Sequence, residues 1–305
     1  MLRFLLRRLF MAVIVLLVVS FGTFIIGHLT GDPVELMAPE NATREAKDEL
    51  RSYLGLDRPL LVQYFSFIGN ALRGDLGFSF VQQTAVSDLI LERLPATLQL
   101  AATGFVLSLL IAVPLGIFIA LNRNTVWDFL ATSVAMIGQS APNFWIGLML
   151  IALFAVQLRL LPVSGYGGIS YLILPAITIA LQSAARLTRL MRASMLEVLN
   201  ADYVRTARAK GLRQKTVLWV HSFRNAMIPV VTMAGLELAE LIGGAFITET
   251  IFAWPGVGRL AVNAVYQRDF PLLQGVVLFA ATAFVLINFL VDLLYVVIDP
   301  RVKLS

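Results

Sequence analysis

The chain has 305 residues, of which 58% are hydrophobic and only 14% charged, and its mean hydropathy is +0.81. Soluble domains carry about 25% charged residues, so a water-facing globule is excluded; the lack of any cysteine also excludes disulfides, thiolate metal sites and cysteine nucleophiles. The net charge of +5 is no argument for nucleic acid, because in so apolar a chain the placement of Lys and Arg says more than their sum.

A run of about 20 apolar residues crosses a bilayer core of roughly 30 Å. Six such runs stand out, at about 9–29, 97–121, 134–158, 171–193, 227–250 and 273–298, which predicts an all-α polytopic membrane protein. Arg3, Arg7 and Arg8 precede the first run. That run is about twice as long as a signal-peptide core and is followed by no clean small-x-small cleavage site. It reads as a retained helix, residues 1–30, with its N-terminus in the cytoplasm. Residues 31–96 form the one sizeable extramembrane segment on the outer side. Helix signals around Thr43 to Tyr53, with Gly55, Pro59, Gly74 and Gly77 as breakers, predict a small, partly helical cap. Residues 97–305 read as a five-helix core that includes a cytoplasmic loop at 194–226. Pro114 and Pro175 fall within or near spans, where a packing kink is the simplest role.

Orientation follows from the basic residues. An inside N-terminus gives the cytoplasm Arg3, Arg7, Arg8, Arg123, Arg186, Arg189, Arg192, Arg205, Arg208, Lys210, Arg213, Lys215, Arg224, Arg301 and Lys303, while the short outer loops hold only Arg159, Arg259 and Arg268. Both termini are then cytoplasmic.

The loop between the fourth and fifth spans, Asn200 to Thr216, is too polar to span and too patterned for a plain linker. Val204, Ala207 and Gly211 recur at helical spacing on one face, while Arg205, Arg208 and Lys210 lie mostly elsewhere on the turn. Gly211 reads as a helix stop, and a helical pattern resumes from Lys215 to His221. Two readings stay open. The small face admits the backbone of another protein, or the basic residues form a juxtamembrane patch for anionic lipid.

Further on, Glu237 and Glu240 lie inside the fifth span, three apart and on nearly one face. A charge at the bilayer centre costs roughly 2.5–3.5 kcal/mol on insertion scales. They therefore face protein or a water-filled path: they line a route, or they bond across a subunit interface, or they are protonated. The segment Ala253-Trp-Pro-Gly-Val-Gly258 breaks the chain between the last two spans. It is an outer loop covered by protein or water, or a turn anchored by an interfacial tryptophan. Asn288 and Asp292 share a face of the sixth span, as an interhelical hydrogen bond requires. His28 and His221 fall at opposite membrane sides with no second ligand type at useful spacing, so no metal site is expected. Gly-x4-Gly-Lys-[Ser/Thr] occurs nowhere, nor do Gly-x-Ser-x-Gly or His-Glu-x-x-His, so neither an ATPase nor an intramembrane protease is expected in this chain.

The stretch Tyr203-Val-Arg-Thr-Ala-Arg-Ala-Lys-Gly-Leu212, followed by Arg224-Asn-Ala-Met-Ile-Pro-Val-Val-Thr232, resembles the cytoplasmic EAA-type loop of ABC importer permeases in the form of the dipeptide/oligopeptide/nickel branch. Ala207 and Gly211 match the motif's second alanine and its glycine. Arg205 and Thr206 stand where other branches carry glutamate and the first alanine, and Pro229 comes later than in the general motif. The resemblance covers nearly the whole chain in order: Gly31-Asp-Pro33, Leu54-Gly-Leu-Asp-Arg-Pro59, Gly74-Asp-Leu-Gly-Phe-Ser79, Arg93-Leu-Pro-Ala-Thr97, Ser140-Ala-Pro-Asn-Phe-Trp-Ile-Gly147 in the third span, Glu249-Thr-Ile-Phe-Ala-Trp-Pro-Gly-Val-Gly-Arg259 and Arg268-Asp-Phe-Pro271.

The resemblance implies a type I importer permease of the bacterial inner membrane. It implies a second, homologous permease as heterodimer partner, and two ABC ATPase subunits docking on residues 203–212 and binding the ATP and Mg. It also implies an extracytoplasmic binding protein and alternating access, with Trp254, Pro255, Gly256 and Gly258 in the outer gate region. Peptides are the cargo this reading favours; relatives of the branch also take glutathione-like compounds and nickel chelates. A secondary transporter is the remote alternative, since it would need no coupling loop.

Overall fold

Apolar runs this long leave the backbone no hydrogen-bond partner but itself, and they are resolved as helices. The structure is a computed structural model that describes residues 2–30, 34, 43–53 and 55–298. The Gly31-Asp-Pro33 motif, Leu54, Arg301 and Lys303 lie outside the described residues, as do the side chains of His28 and Asp292. In chain order the elements are α1 (Leu2–Thr30), α2 (Arg44–Tyr53), α3 (Leu60–Ala71), strands β1 (Phe78–Ser79) and β2 (Thr84–Ala85), and α4 (Val86–Leu121). Next come α5 (Val126–Ser140), α6 (Asn143–Leu150) with a π-turn extension Ile151–Gln157, α7 (Ile169–Leu199) and α8 (Asp202–Ala209). The short α9 (Gln214–Thr216) passes through π turns at Val217–Phe223 into α10 (Arg224–Gly244), followed by α11 (Phe246–Ile251), α12 (Val257–Gln267) and α13 (Phe270–Ile298).

Among the described residues five helices are long and apolar enough to cross a membrane, and a sixth crossing results if one bent pair counts as a single span. That pair corrects the third expected span: 134–158 is not one helix but α5 and α6, meeting at 106°. The cause is local. Ala141 precedes a proline and takes the extended conformation (φ −76°, ψ 129°), and Pro142 follows at φ −62°, ψ 141°. The second span also begins earlier than its apolar run suggests, at Val86.

The chain forms two compact units, residues 1–96 with 255–285 and residues 97–254 with 286–305. In the first, α1 is tied to α3 by a 2.9 Å hydrogen bond between the Ser20 and Tyr64 hydroxyls, and the Tyr64 ring meets Phe21 and Phe24 edge-on at 5.2 and 5.5 Å. β1 and β2 form an antiparallel hairpin in register Phe78↔Ala85. The Ser79 hydroxyl donates to the buried Asp269 carboxylate, which also accepts the Leu272 amide at 3.2 Å and so caps α13. Val86, Leu89 and Ile90 pack on Val257, Leu260, Ala264, Leu272 and Val276 as this unit's core.

The second unit is organised by α4. Gly104, Ser108, Ala112 and Gly116, every fourth residue, are buried. A Cβ on Gly104 would come within 2.4 Å of Ile179, and one on Gly116 within 2.6 Å of Met191. This small-x-x-x-small stripe brings α4 and α7 backbones close, the packing mode that membrane helices use where burial alone cannot drive association. Ala112, Ile117 and Ala120 of α4, Leu187, Met191 and Met195 of α7, and Ala226, Val230 and Ala234 of α10 make the core.

Candidate functional site

The loop singled out from the sequence folds as α8 and a glycine turn, carried between α7 and α10. Ala201 at the N-cap is extended, Asp202 sits in the first turn where the helix dipole favours an acid, and the helix ends at Ala209. Gly211 lies at φ +74°, the left-handed region where a Cβ is penalised, and its amide donates to the Arg208 carbonyl at 2.9 Å.

One expectation is corrected here. Val204 and Ala207 do not present a small face to a partner; both are buried against Val217 and Val198. A helix of eight residues is marginal by itself, so it docks its apolar edge onto the helices that carry it. The face left exposed holds Tyr203, Arg205, Thr206, Arg208, Ala209, Lys210, Gly211 and Leu212. Arg205 reaches Asp202 at 3.7 Å on the surface, which leaves the face strongly basic.

The fifth-span glutamates separate. Glu237 is fully buried, and Arg186 of α7 holds it with Nε on Oε1 and Nη2 on Oε2, both at 2.5 Å. The Ser183 hydroxyl donates to the same carboxylate at 2.7 Å. Glu240 keeps 63% of its side chain exposed and touches Arg186 at 3.3 Å. Glu237 therefore finds its hydrogen-bond partners within the chain, on Ser183 and Arg186. Arg186, assigned to the cytoplasmic side by the charge count, stands instead at the level of a carboxylate inside the fifth span. A bidentate guanidinium–carboxylate pair is the arrangement that makes such burial tolerable.

A second paired charge, absent from the sequence reading, lies six residues further along α7. Arg192 grips Asp128 through two bonds of 2.9 Å, while Asp128 also accepts the Asn124 amide at 3.0 Å and the Thr132 hydroxyl at 3.3 Å. This fixes the start of α5, whose N-cap is Thr125. The available signal was an acid just after a Thr cap, facing a helix with three arginines at 186, 189 and 192.

Within the second unit, Trp254 is 1% exposed and its ring meets Tyr166 edge-on at 4.8 Å. The interfacial-anchor alternative for this residue is thereby overturned. Its amide bonds the Glu249 carbonyl at 2.8 Å, Phe252 O accepts the Gly165 amide at 3.0 Å, and Ala253 adopts φ +50°. Glu249 is completely buried and accepts the Thr97 hydroxyl at 2.7 Å, so α4, three turns into its length, holds the base of the loop. In the first unit, Gly256 caps α12, and Gly258 lies in its first turn. Pro255 joins the two halves of the loop. Asn288 is half-buried on α13, and Asp292, which shares its helix, lies outside the described side chains. Near them Gly235 of α10 stands so close to Val291 that a Cβ would meet it at 2.6 Å.

Comparison with known proteins gives two family matches. Residues 112–304 match the binding-protein-dependent transport system inner membrane component, and residues 1–101 match the N-terminal segment of the binding-protein-dependent transport system membrane component. The chain is 39% identical over 336 aligned residues to the dipeptide transport system permease protein DppB of Escherichia coli strain K12, covering 99% of each chain. It is 41% identical over 304 residues to the glutathione transport system permease protein GsiC of Escherichia coli O6:H1, again covering 99% of each. Among solved structures, the inward-facing methionine ABC transporter MetNI aligns with a TM-score of 0.60 at 17% identity, over 69% of this chain and 96% of that one. An amino acid ABC transporter aligns with a TM-score of 0.52 at 19% identity, over 71% and 95%. These last two show a shared fold.

Proposed function

The chain belongs to the binding-protein-dependent inner membrane transport components, as a multi-pass permease subunit of an ABC importer of the peptide family, and on that premise we propose that its cargo is a di- or oligopeptide. Importers of this family work with ATPase subunits and a substrate-binding protein, and their permease subunits are not themselves catalytic. The finer assembly is part of the proposal. A second, non-identical permease completes the route in the bacterial inner membrane, with both termini of this chain in the cytoplasm. Two ATPases bind the ATP and Mg and dock on Tyr203 to Leu212. A binding protein delivers cargo from the outer side, where the Trp254–Gly258 loop forms part of the gate.

The observation that carries this reading is the geometry of α8. Its apolar edge is used up against Val198 and Val217, so the basic outer face and the Gly211 turn are free for a partner, and the helix is held by the helices that flank it in the chain. A push on α8 is a push on α7 and α10. Glu240, with Arg186 beside it, is the group we place at the route or at the boundary with the second permease.

A tagged chain purified in mild detergent brings down two ATPases and a second permease. Gly211→Arg, which puts a bulky side chain at a left-handed residue with open space around it, loses the ATPases and keeps the permease. If the wild-type chain purifies alone and moves peptide in vesicles without ATP, the secondary-transporter reading replaces this one. The glutathione relative supports a second cargo. ATP-driven uptake by the reconstituted complex decides between them: dipeptide uptake that excess glutathione does not inhibit supports the peptide reading, and the reverse supports glutathione.

A further inference from the structure

A groove of about 420 Å³ lies where three candidate spans end on the same side: Ala120 and Leu121 close α4, Leu199 closes α7, and Gln214 opens the fifth span. Arg208, Lys215, Val217 and Leu218 complete its walls. Converging span ends put the groove at the boundary between hydrocarbon and water, whichever way the chain is oriented. The basic bias of the same loops puts that boundary at the cytoplasmic leaflet, which carries the anionic lipids.

Arg208 and Lys215 are the two charged residues of the lining; no Asp or Glu is among them, and neither cation forms an ion pair among the described residues. The rest of the lining is mainly apolar. Leu121 is exposed at the mouth, and Trp219 and Val220 stay more than half exposed on the helix that carries Lys215. Two unpaired cations, an apolar shoulder and an exposed tryptophan at a span end together fit a lipid headgroup with its glycerol and first acyl carbons. A soluble anion would have no use for the shoulder.

We propose that this groove binds the phosphodiester of an anionic glycerophospholipid, with Arg208 and Lys215 holding the phosphate and Leu121 and Leu218 the glycerol end. Arg208 belongs to α8, so the lipid ties the segment that meets the ATPases to the membrane surface. This inference rests on the membrane topology of the chain and not on the cargo or on ATPase docking.

The test is native mass spectrometry of the complete purified complex, delipidated and then titrated with phosphatidylglycerol or phosphatidylcholine. Wild type retains phosphatidylglycerol preferentially. Lys215→Gln and Arg208→Gln each lower that retention about fivefold, the size expected for one basic group at an anionic surface, and the double variant loses the preference. Lys215→Arg keeps it. Arg213→Gln removes an exposed charge outside the lining and leaves retention unchanged. Leu218→Trp fills the groove with all charges in place and lowers retention, which diffuse surface attraction does not predict. The inference is overturned if the double variant keeps the preference, if Arg213→Gln acts as strongly as Lys215→Gln, or if millimolar inorganic phosphate displaces the lipid completely, which would make the groove a site for free phosphate.

Discussion

Glu237 and Glu240 leave α10 within one turn of each other, yet one is enclosed by Ser183 and Arg186 and the other keeps 63% of its side chain exposed. Three residues of helix amount to about 300° of rotation, so the pair shares a broad face. At the helix–helix contact, however, a 60° difference decides whether a side chain points at α7 or past it. Glu237 points at α7 and finds a guanidinium. Glu240 points past it and shares the edge of the same cation. The group of one arginine and two glutamates has one carboxyl group more than it has guanidinium groups, and Glu240 is the member without a bidentate partner. Spacing alone cannot divide such a pair into a structural carboxylate and an available one; the neighbouring helix does.

The largest expected effect breaks the enclosed half of the comparison. Glu237→Ala leaves Arg186 charged, half-buried and without its main partner, and removal of one member of a buried pair costs about 3 to 5 kcal/mol. The thermal midpoint of the purified complex should fall steeply, or the subunit should fail to accumulate in the membrane. The double variant Arg186→Met with Glu237→Leu sharpens the point. It removes both charges at roughly constant volume and should recover most of the loss, because two desolvated ions are replaced by packing. A double variant no better than Glu237→Ala would mean that Arg186 has work beyond neutralising Glu237.

Asp128 supplies the middle case. Its carboxylate is buried but Arg192 remains 29% exposed, so solvent already shares the load. Asp128→Asn keeps an acceptor for the Asn124 amide and loses the ionic half of a bidentate bond, a cost of about 1.5 to 3 kcal/mol. The same thermal midpoint should place it between Glu237→Ala and wild type. A drop as large as that of Glu237→Ala would show that the Arg192 end is less solvated than its exposure suggests.

The contrast between these sites also marks what the sequence discloses. Hydropathy gives the helical class and the approximate spans, because each span must satisfy its own backbone. Gly211 discloses the end of α8, because a left-handed turn has few other candidates. The bend at Pro142 was present in the sequence too, yet a hydropathy window averages across it: Ala141-Pro142 interrupts an apolar run without changing its mean. The small stripe from Gly104 to Gly116 is a period-four pattern, legible in principle, and it was obscured by the uniformly apolar residues between its members. The pairings Arg186–Glu237, Arg192–Asp128 and Thr97–Glu249 join residues 51, 64 and 152 positions apart. No local period encodes them. The inward face of Val204 and Ala207 is hidden from the sequence for a related reason: periodicity shows that one face differs from the others, and only the carrier helices show which face they cover.

The smallest structural effect belongs to the exposed half. Glu240→Gln should move the thermal midpoint by no more than about 0.5 kcal/mol, as for other surface charges with a single long contact. Its interest lies elsewhere. A carboxylate this exposed within a span is not stable against lipid, where it costs roughly 2.5 to 3.5 kcal/mol, so it looks onto water or onto another protein. If it looks onto the route, it attracts the ammonium group of a passing peptide, and neutralising it slows ATP-driven uptake of peptides with a free amino terminus while leaving N-acetylated peptides unaffected. If it looks onto the second permease proposed above, both peptide forms slow together and the two subunits separate more readily in detergent. Uptake measured side by side with the two peptide forms distinguishes these faces. A variant that leaves both rates and the association unchanged would mean that Glu240 contributes to neither.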